Sequence, residues 1–222
     1  MQIETFTDAI HACRFCFMCR HLDPVGNVTF READTPRGRA LVCDRILMDA
    51  ANLKQADYID VLYRSALSGA NRFHCVSHYD ETGLVLAARR DVVDAGLAPE
   101  AAAALARQLV KATFAVKGKK GAPLYFGPHK ELYPGCASIS VRDPGKALEV
   151  LGFVKESQDV FAAFKGAVDA SGAKTLIVAE PSAYHFLKDK LPGVAVVHAA
   201  EHLLSATPKT GKARKAHYIA SD

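Results

Sequence analysis

Cys13-Arg14-Phe15-Cys16-Phe17-Met18-Cys19-Arg20-His21-Leu22-Asp23-Pro24 is the stretch on which the reading of this chain turns. Its spacing is Cys-x2-Cys-x2-Cys-x3-Asp-Pro. Three thiols two residues apart converge on one loop, and soft thiolates in such a run suit a metal site better than disulfide pairing. The chain has six cysteines in 222 residues, with half of them in this loop. The N-terminus, Met1-Gln2-Ile3-Glu4, lacks a basic region followed by an apolar one, so no signal peptide is expected.

The run has the spacing of a bacterial ferredoxin motif whose fourth cysteine is replaced by Asp23. In a two-cluster ferredoxin the fourth cysteine of each run ligates the other cluster. The position of a second run is therefore informative. Residues 65–75 read Ser-Ala-Leu-Ser-Gly-Ala-Asn-Arg-Phe-His-Cys. With Cys75 as the fourth position, the first three fall on Ser65, Ser68 and Asn71. Cross-ligation then assigns Cys13, Cys16, Cys19 and Cys75 to one site, with every thiol present. The other site would use Ser65, Ser68, Asn71 and Asp23, with every thiol absent. The expectation is one [4Fe–4S] cluster held by Cys13, Cys16, Cys19 and Cys75. Asp23 or Cys43 as the fourth ligand, a zinc site, and ordinary buried cysteines remain alternatives. Asp23→Ala is expected to leave the cluster, and cysteines restored at 23, 65, 68 and 71 are expected to add a second one.

Further along, Thr35-Pro36-Arg37-Gly38-Arg39 opens a helix that runs through Leu47, with Leu41, Val42, Ile46 and Met48 as its apolar positions. Residues 83–95 form another helix, ended by Gly96, and Pro99 starts an alanine-rich helix to about Thr113. Residues 114–123, including the basic run Lys117-Gly118-Lys119-Lys120, read as a linker. After it the period changes. Leu124–Phe126, Thr175–Ala179 and Val194–Val197 are strand runs, separated by helical stretches at about 144–152, 158–171 and 182–190. That alternation argues for a parallel α/β sheet. The expected organisation is a helical ferredoxin-like domain over 1–113 and a small parallel-sheet α/β domain over 124–222. The tail from Pro208 reads as a solvated connection.

Net charge is +4, too weak and dispersed for a nucleic-acid surface. No apolar stretch reaches the ~18 residues of a membrane span. No phosphate loop or Gly-x-Gly-x-x-Gly is present, so the chain is not expected to bind nucleotide or flavin itself. No nucleophile–base spacing is legible, and no catalytic residue is assigned.

The cysteine run, Asp23-Pro24-Val25-Gly26-Asn27, Glu32 and Thr-Pro-Arg-Gly-Arg together resemble the iron–sulfur subunits of the heterodisulfide reductase and glycolate oxidase type. That resemblance implies a helical two-cluster domain followed by an α/β "CCG" domain. It implies electron transfer between a flavoprotein dehydrogenase and a CCG-domain or iron–sulfur protein, in the cytoplasm or peripheral to the membrane through partners. Leu132-Tyr133-Pro134-Gly135-Cys136 is similar to the opening of a CCG domain, with Leu124-Tyr125-Phe126-Gly127 as a competing alignment. The paired cysteines that should follow are missing, and Cys136 stands alone as a strand-end thiol. His217–Asp222 is similar to the strand that would open a second repeat. The expected role is an electron-transfer subunit with one cluster. The alternative is a structural subunit that holds such a complex together.

Arg14, Arg20 and His21 would tune the cluster or simply solvate the loop. Arg37 and Arg39 would meet a partner or pair with Glu32 and Asp34. His74 and His78 read as surface or hydrogen-bonding histidines.

Overall fold

The computed structural model describes residues 1–13 and 16–206. The chain divides into two compact units. The first comprises residues 1–113 with 142–164; the second comprises 114–141 with the chain from Lys165 onward. The first stretch of the first unit ends at Thr113. Residues 142–164, read from sequence with the α/β part, group with the first unit.

The first unit is helical. Its helices are α1 (Thr7–Ala12), α2 (Pro24–Thr29), α3 (Pro36–Met48), α4 (Ala56–Arg64), α5 (Asn71–His74), α6 (Glu81–Asp94), α7 (Glu100–Leu109) and α8 (Lys146–Leu151). Helix α9 (Val154–Ser171) begins here and ends in the second unit. Ile3, Ile10, Cys43, Ile46, Leu62, Leu84 and Val92 form a buried core shared by the N-terminus, α1, α3, α4 and α6. On α3 the buried stripe is Arg39, Cys43 and Ile46, flanked by Ala40 and Val42. Leu41 and Met48, expected among the apolar positions, are exposed. The stripe follows the helical period from Arg39, and a charged residue heads it because its charge is matched inside.

The start of α3 shows why its sequence is what it is. Thr35 caps the helix, its hydroxyl accepting from the Gly38 N–H at 3.1 Å. Pro36 occupies a first-turn position, where a missing N–H costs nothing. A Cβ on Gly38 would lie 2.1 Å from the Glu32 carbonyl oxygen, so backbone crosses backbone here. Gly38→Ala is expected to force the 32–34 turn off the helix. It should lower stability by about 3 kcal/mol, since a backbone clash cannot relax by rotamer change. Urea denaturation followed by circular dichroism checks this; a change within about 0.5 kcal/mol would contradict it.

Helix α6 starts at Glu81, two residues earlier than the sequence suggests. Gly96 ends it in the left-handed region at φ +70°. Its Arg89 reaches back to the carboxyl end of α4 and donates to the Leu62 carbonyl at 3.0 Å and the Ser65 carbonyl at 3.0 Å. The positive charge satisfies carbonyls that a helix leaves without intrahelical partners.

The second unit is a five-stranded mixed sheet. Its strands are β1 (Val116–Lys117), β2 (Leu124–Phe126), β3 (Ala137–Ile139), β4 (Thr175–Val178) and β5 (Ala195–His198), in the order β1-β3-β2-β4-β5. β3, β2, β4 and β5 run parallel; β1 pairs antiparallel with β3. The parallel strands expected at 124, 175 and 194 are present. The linker reading is corrected: residues 116–117 are the edge strand β1, a lysine-bearing edge. β3 was not expected, because Ala137-Ser138-Ile139 interrupts its apolar residues with a serine and gives no apolar run. Helix α10 (Pro181–Leu187) joins β4 to β5, and α11 (Ala199–Ala206) follows β5. The reading of 208–222 lies outside the described residues.

Candidate functional site

Cys13 ends α1 as its C-cap, and its main chain is extended. The loop then carries Cys16, exposed, and Cys19, buried, into a 3-10 turn at Arg20–Leu22. Cys75 is the C-cap of α5 and half-buried, packed against the core cluster that includes Cys13. The two segments meet where His21 stands edge-on to His74, with ring centroids 5.8 Å apart. The two segments that carry the sequence-assigned thiols thus meet in the first unit. Among the described residues no group of three His, Cys, Asp or Glu side chains is set to hold a metal ion.

Cys19 has the most informative surroundings. Burial pushes its thiol pKa up; a backbone hydrogen bond from Arg37 pulls it down, and Cys13 and Cys16 push it up again. Arg37 is the second residue of α3, where N–H groups have no intrahelical partner. The sulfur therefore faces a helix N-terminus, which offsets part of the upward push of burial; the net shift is upward. The Arg37 guanidinium lies 4.0 Å over the Phe17 ring and pairs with Glu32 at 2.7 Å. The donor set of four thiols, with one N–H aimed at a sulfur, fits an iron–sulfur cluster chemically.

The residues at the thiol-free positions lie in a different network. Asp23 caps α2, its Oδ1 accepting from the Val25 and Gly26 N–H groups at 2.9 and 2.8 Å. Its Oδ2 accepts from Arg39 Nη2. Arg39, 1 % exposed, also donates to Glu81 Oε1 at 2.5 Å and to the Asp34 carbonyl at 2.6 Å. Ser65 donates to the same Glu81 oxygen at 3.0 Å, and Asn71 donates to the Tyr79 carbonyl at 3.2 Å. Ser68 is exposed. Asp23 and Ser65, far apart in sequence, are thus joined through one buried guanidinium–carboxylate pair.

No protein-family model, curated protein or solved structure matches this chain.

The alternative ligands stand elsewhere. Asp23 is occupied by Arg39 and by its own helix. Cys43 is fully exposed to the core and not to water; burial, then Glu81 and Asp91, push its pKa to about 12. Such a thiol stays neutral. Its folded pKa lies above the ordinary value of 9.0, so its contribution is complete below pH 9 and is lost as pH rises toward 12. Cys43→Ala is expected to flatten the alkaline fall in stability, measured by urea denaturation at about pH 8 and about pH 11. An unchanged slope would contradict that.

Sequence reasoning missed Glu81, because the helix was expected to begin after it. It also assigned Arg39 to Glu32 or the Asp34 carboxylate, whereas Arg39 takes Asp23, Glu81 and the Asp34 carbonyl. The Arg37–Glu32 pair is as expected. The Asp34 carboxylate, fully buried, faces Arg64 at 3.5 Å and Arg31 at 3.8 Å. His78, exposed, sits with Nδ1 3.3 Å from the Arg72 carbonyl.

In the second unit Cys136 packs against Tyr125, Tyr133, Ile177 and Ala199. Tyr125 and Tyr133 stack with centroids 4.1 Å apart. Cys136 there is one thiol beside two tyrosines, directly before the amino end of β3.

Proposed function

We propose that this chain is an electron-transfer subunit with one [4Fe–4S] cluster, held by Cys13, Cys16, Cys19 and Cys75. The observation that carries the reading is the pairing of the two segments. The first run's odd residue, Asp23, is joined through Arg39 and Glu81 to Ser65 of the second segment. The second segment's one thiol, Cys75, packs on the core that contains Cys13. Both contacts support a crossed two-site reading, in which the thiols serve one site and an ion pair stands at the other.

When bound, the cluster supplies a one-electron carrier. The chain's residues do the rest. Cys13, Cys19 and Cys75 bring sulfur to a partly buried face, and Cys16 brings it to the surface. The Arg37 N–H stabilises negative charge on the Cys19 sulfur, which raises a cluster's reduction potential. By its resemblance to heterodisulfide reductase and glycolate oxidase iron–sulfur subunits, the chain relays electrons between a flavoprotein dehydrogenase and a further CCG-domain or iron–sulfur carrier. Substrate chemistry lies in the partner. Among the described residues no helix is long and apolar enough to cross a membrane.

The ion pair at the thiol-free positions also favours a second reading, a structural subunit whose cluster never turns over. Anaerobic purification separates the two. About four iron and four sulfide per chain, with absorbance near ~400 nm that bleaches reversibly, supports electron transfer. Iron and sulfide that no reductant bleaches supports the structural role. Zinc without sulfide overturns both.

A further inference from the structure

We infer that the face around Cys16 and Cys75 is a docking surface for a redox protein whose contact rim is acidic. The inference rests on the electron-transfer reading and adds the partner's chemistry to it. Segments 16–22 and 71–78 make this face and meet at the His21–His74 contact. Phe17 and Met18 in the first are 64 % and 53 % exposed; Phe73 and Val76 in the second are 88 % and 76 % exposed. Large apolar side chains concentrated beside a thiol loop mark an interaction site more than a solvated surface. Phe73 and Val76 flank His74 and Cys75 in the sequence.

Within these two segments the charge has one sign. From His11 to Leu22, and from Ser65 to Tyr79, the sequence holds no Asp or Glu. Exposed Arg20 and Arg72 lie in those segments, together with His21, His74 and His78. Two carboxylates border the face: Glu32 pairs with Arg37 at 2.7 Å, and Asp80, 3.9 Å from Arg72, makes only a long, solvent-exposed pair that leaves the Arg72 charge open to a partner. An apolar centre with a cationic rim complements an apolar centre with a carboxylate rim. Such pairing steers encounter and suppresses basic partners by like-charge repulsion. The patch is small, as expected of redox encounters, which bury under about 1,200 Å² and release quickly.

The full chain, purified anaerobically, is titrated by biolayer interferometry with two probes. One is a plant-type [2Fe–2S] ferredoxin, acidic; the other is cytochrome c, basic. Ferredoxin is expected to bind, with affinity falling at least about tenfold between about 20 and about 200 mM salt. The double variant Arg20→Glu, Arg72→Glu should weaken it a further tenfold or more, and Phe73→Ser about fivefold. Should the charge reversal alter the circular-dichroism spectrum, Arg20→Gln with Arg72→Gln takes its place, with about a threefold loss expected. Equal binding of cytochrome c, binding of neither probe, or indifference to the charge variants overturns the inference. So does a dimer in sedimentation that Phe73→Ser dissolves, because a second copy then owns the face. Iron and sulfide measured on the same sample keep the two proposals apart. A cluster-free chain that binds ferredoxin overturns electron transfer and keeps the acidic partner. A loaded chain that binds neither probe overturns only the docking face.

Discussion

Cys75→Ser is expected to take the chain from about four iron and four sulfide to near none, while the fold survives. A hydroxyl does not replace a thiolate on iron, so one missing ligand opens the cube to loss. The fold survives because Cys75 is only half-buried at the end of a four-residue helix, and its backbone N–H bond to the Asn71 carbonyl, 2.9 Å, does not use the side chain. Cys43→Ser is the matched control. It alters a fully buried thiol, lowers stability, and should leave iron per folded chain unchanged. If Cys75→Ser keeps its iron and Cys43→Ser loses it, the fourth ligand has been assigned to the wrong helix. Metal analysis and the visible spectrum of both variants decide this.

Arg39→Leu is expected to be among the most destabilising single substitutions in the first unit, by about 3–5 kcal/mol in urea denaturation. The guanidinium is 1 % exposed and is held by Asp23, Glu81 and the Asp34 carbonyl. Removing it leaves two carboxylates, at 5 % and 3 % exposure, without their cation. Desolvated charges without a partner cost more than the pair contributes when intact. The triple replacement Arg39→Leu, Asp23→Asn, Glu81→Gln should therefore recover part of the loss. A triple variant less stable than Arg39→Leu alone would contradict the argument. The same network changes what Asp23→Ala does. Iron per folded chain should stay at about four, as expected from sequence, but stability should fall, because Asp23 both caps α2 and neutralises Arg39. It also bears on restoring cysteines at 23, 65, 68 and 71: Arg39 and Glu81 must then lose Asp23 and Ser65 as partners, which opposes cluster uptake.

The residue pattern carried a good deal of the architecture. Thr35-Pro36, Gly96 and Pro99 mark helix ends because capping hydroxyls, positive φ and fixed φ act locally, within one turn. The strands at 124, 175 and 195 are apolar runs, and their parallel pairing follows from helices between them. β1 and β3 were not legible: Val116-Lys117 borders a Gly- and Lys-rich stretch, and Ala137-Ser138-Ile139 is no apolar run, unlike the equally short Leu124-Tyr125-Phe126.

The thiol spacing of Cys13, Cys16 and Cys19, and the residues other than cysteine at 23, 65, 68 and 71, are read from sequence alone. Ligand type and register are local and need no fold to be read. What the tertiary structure decided is the fate of the other positions. Arg39 reads as a surface residue in a five-residue motif, and Glu81 as a residue before a helix. Only packing brings them to Asp23 and Ser65, because a buried ion pair depends on which helices cross, and crossing is set by the shared core of α1, α3, α4 and α6. The exposed side of the same loops was likewise invisible beforehand. Phe17, Phe73 and Val76 stand exposed, because the core of the first unit forms without them.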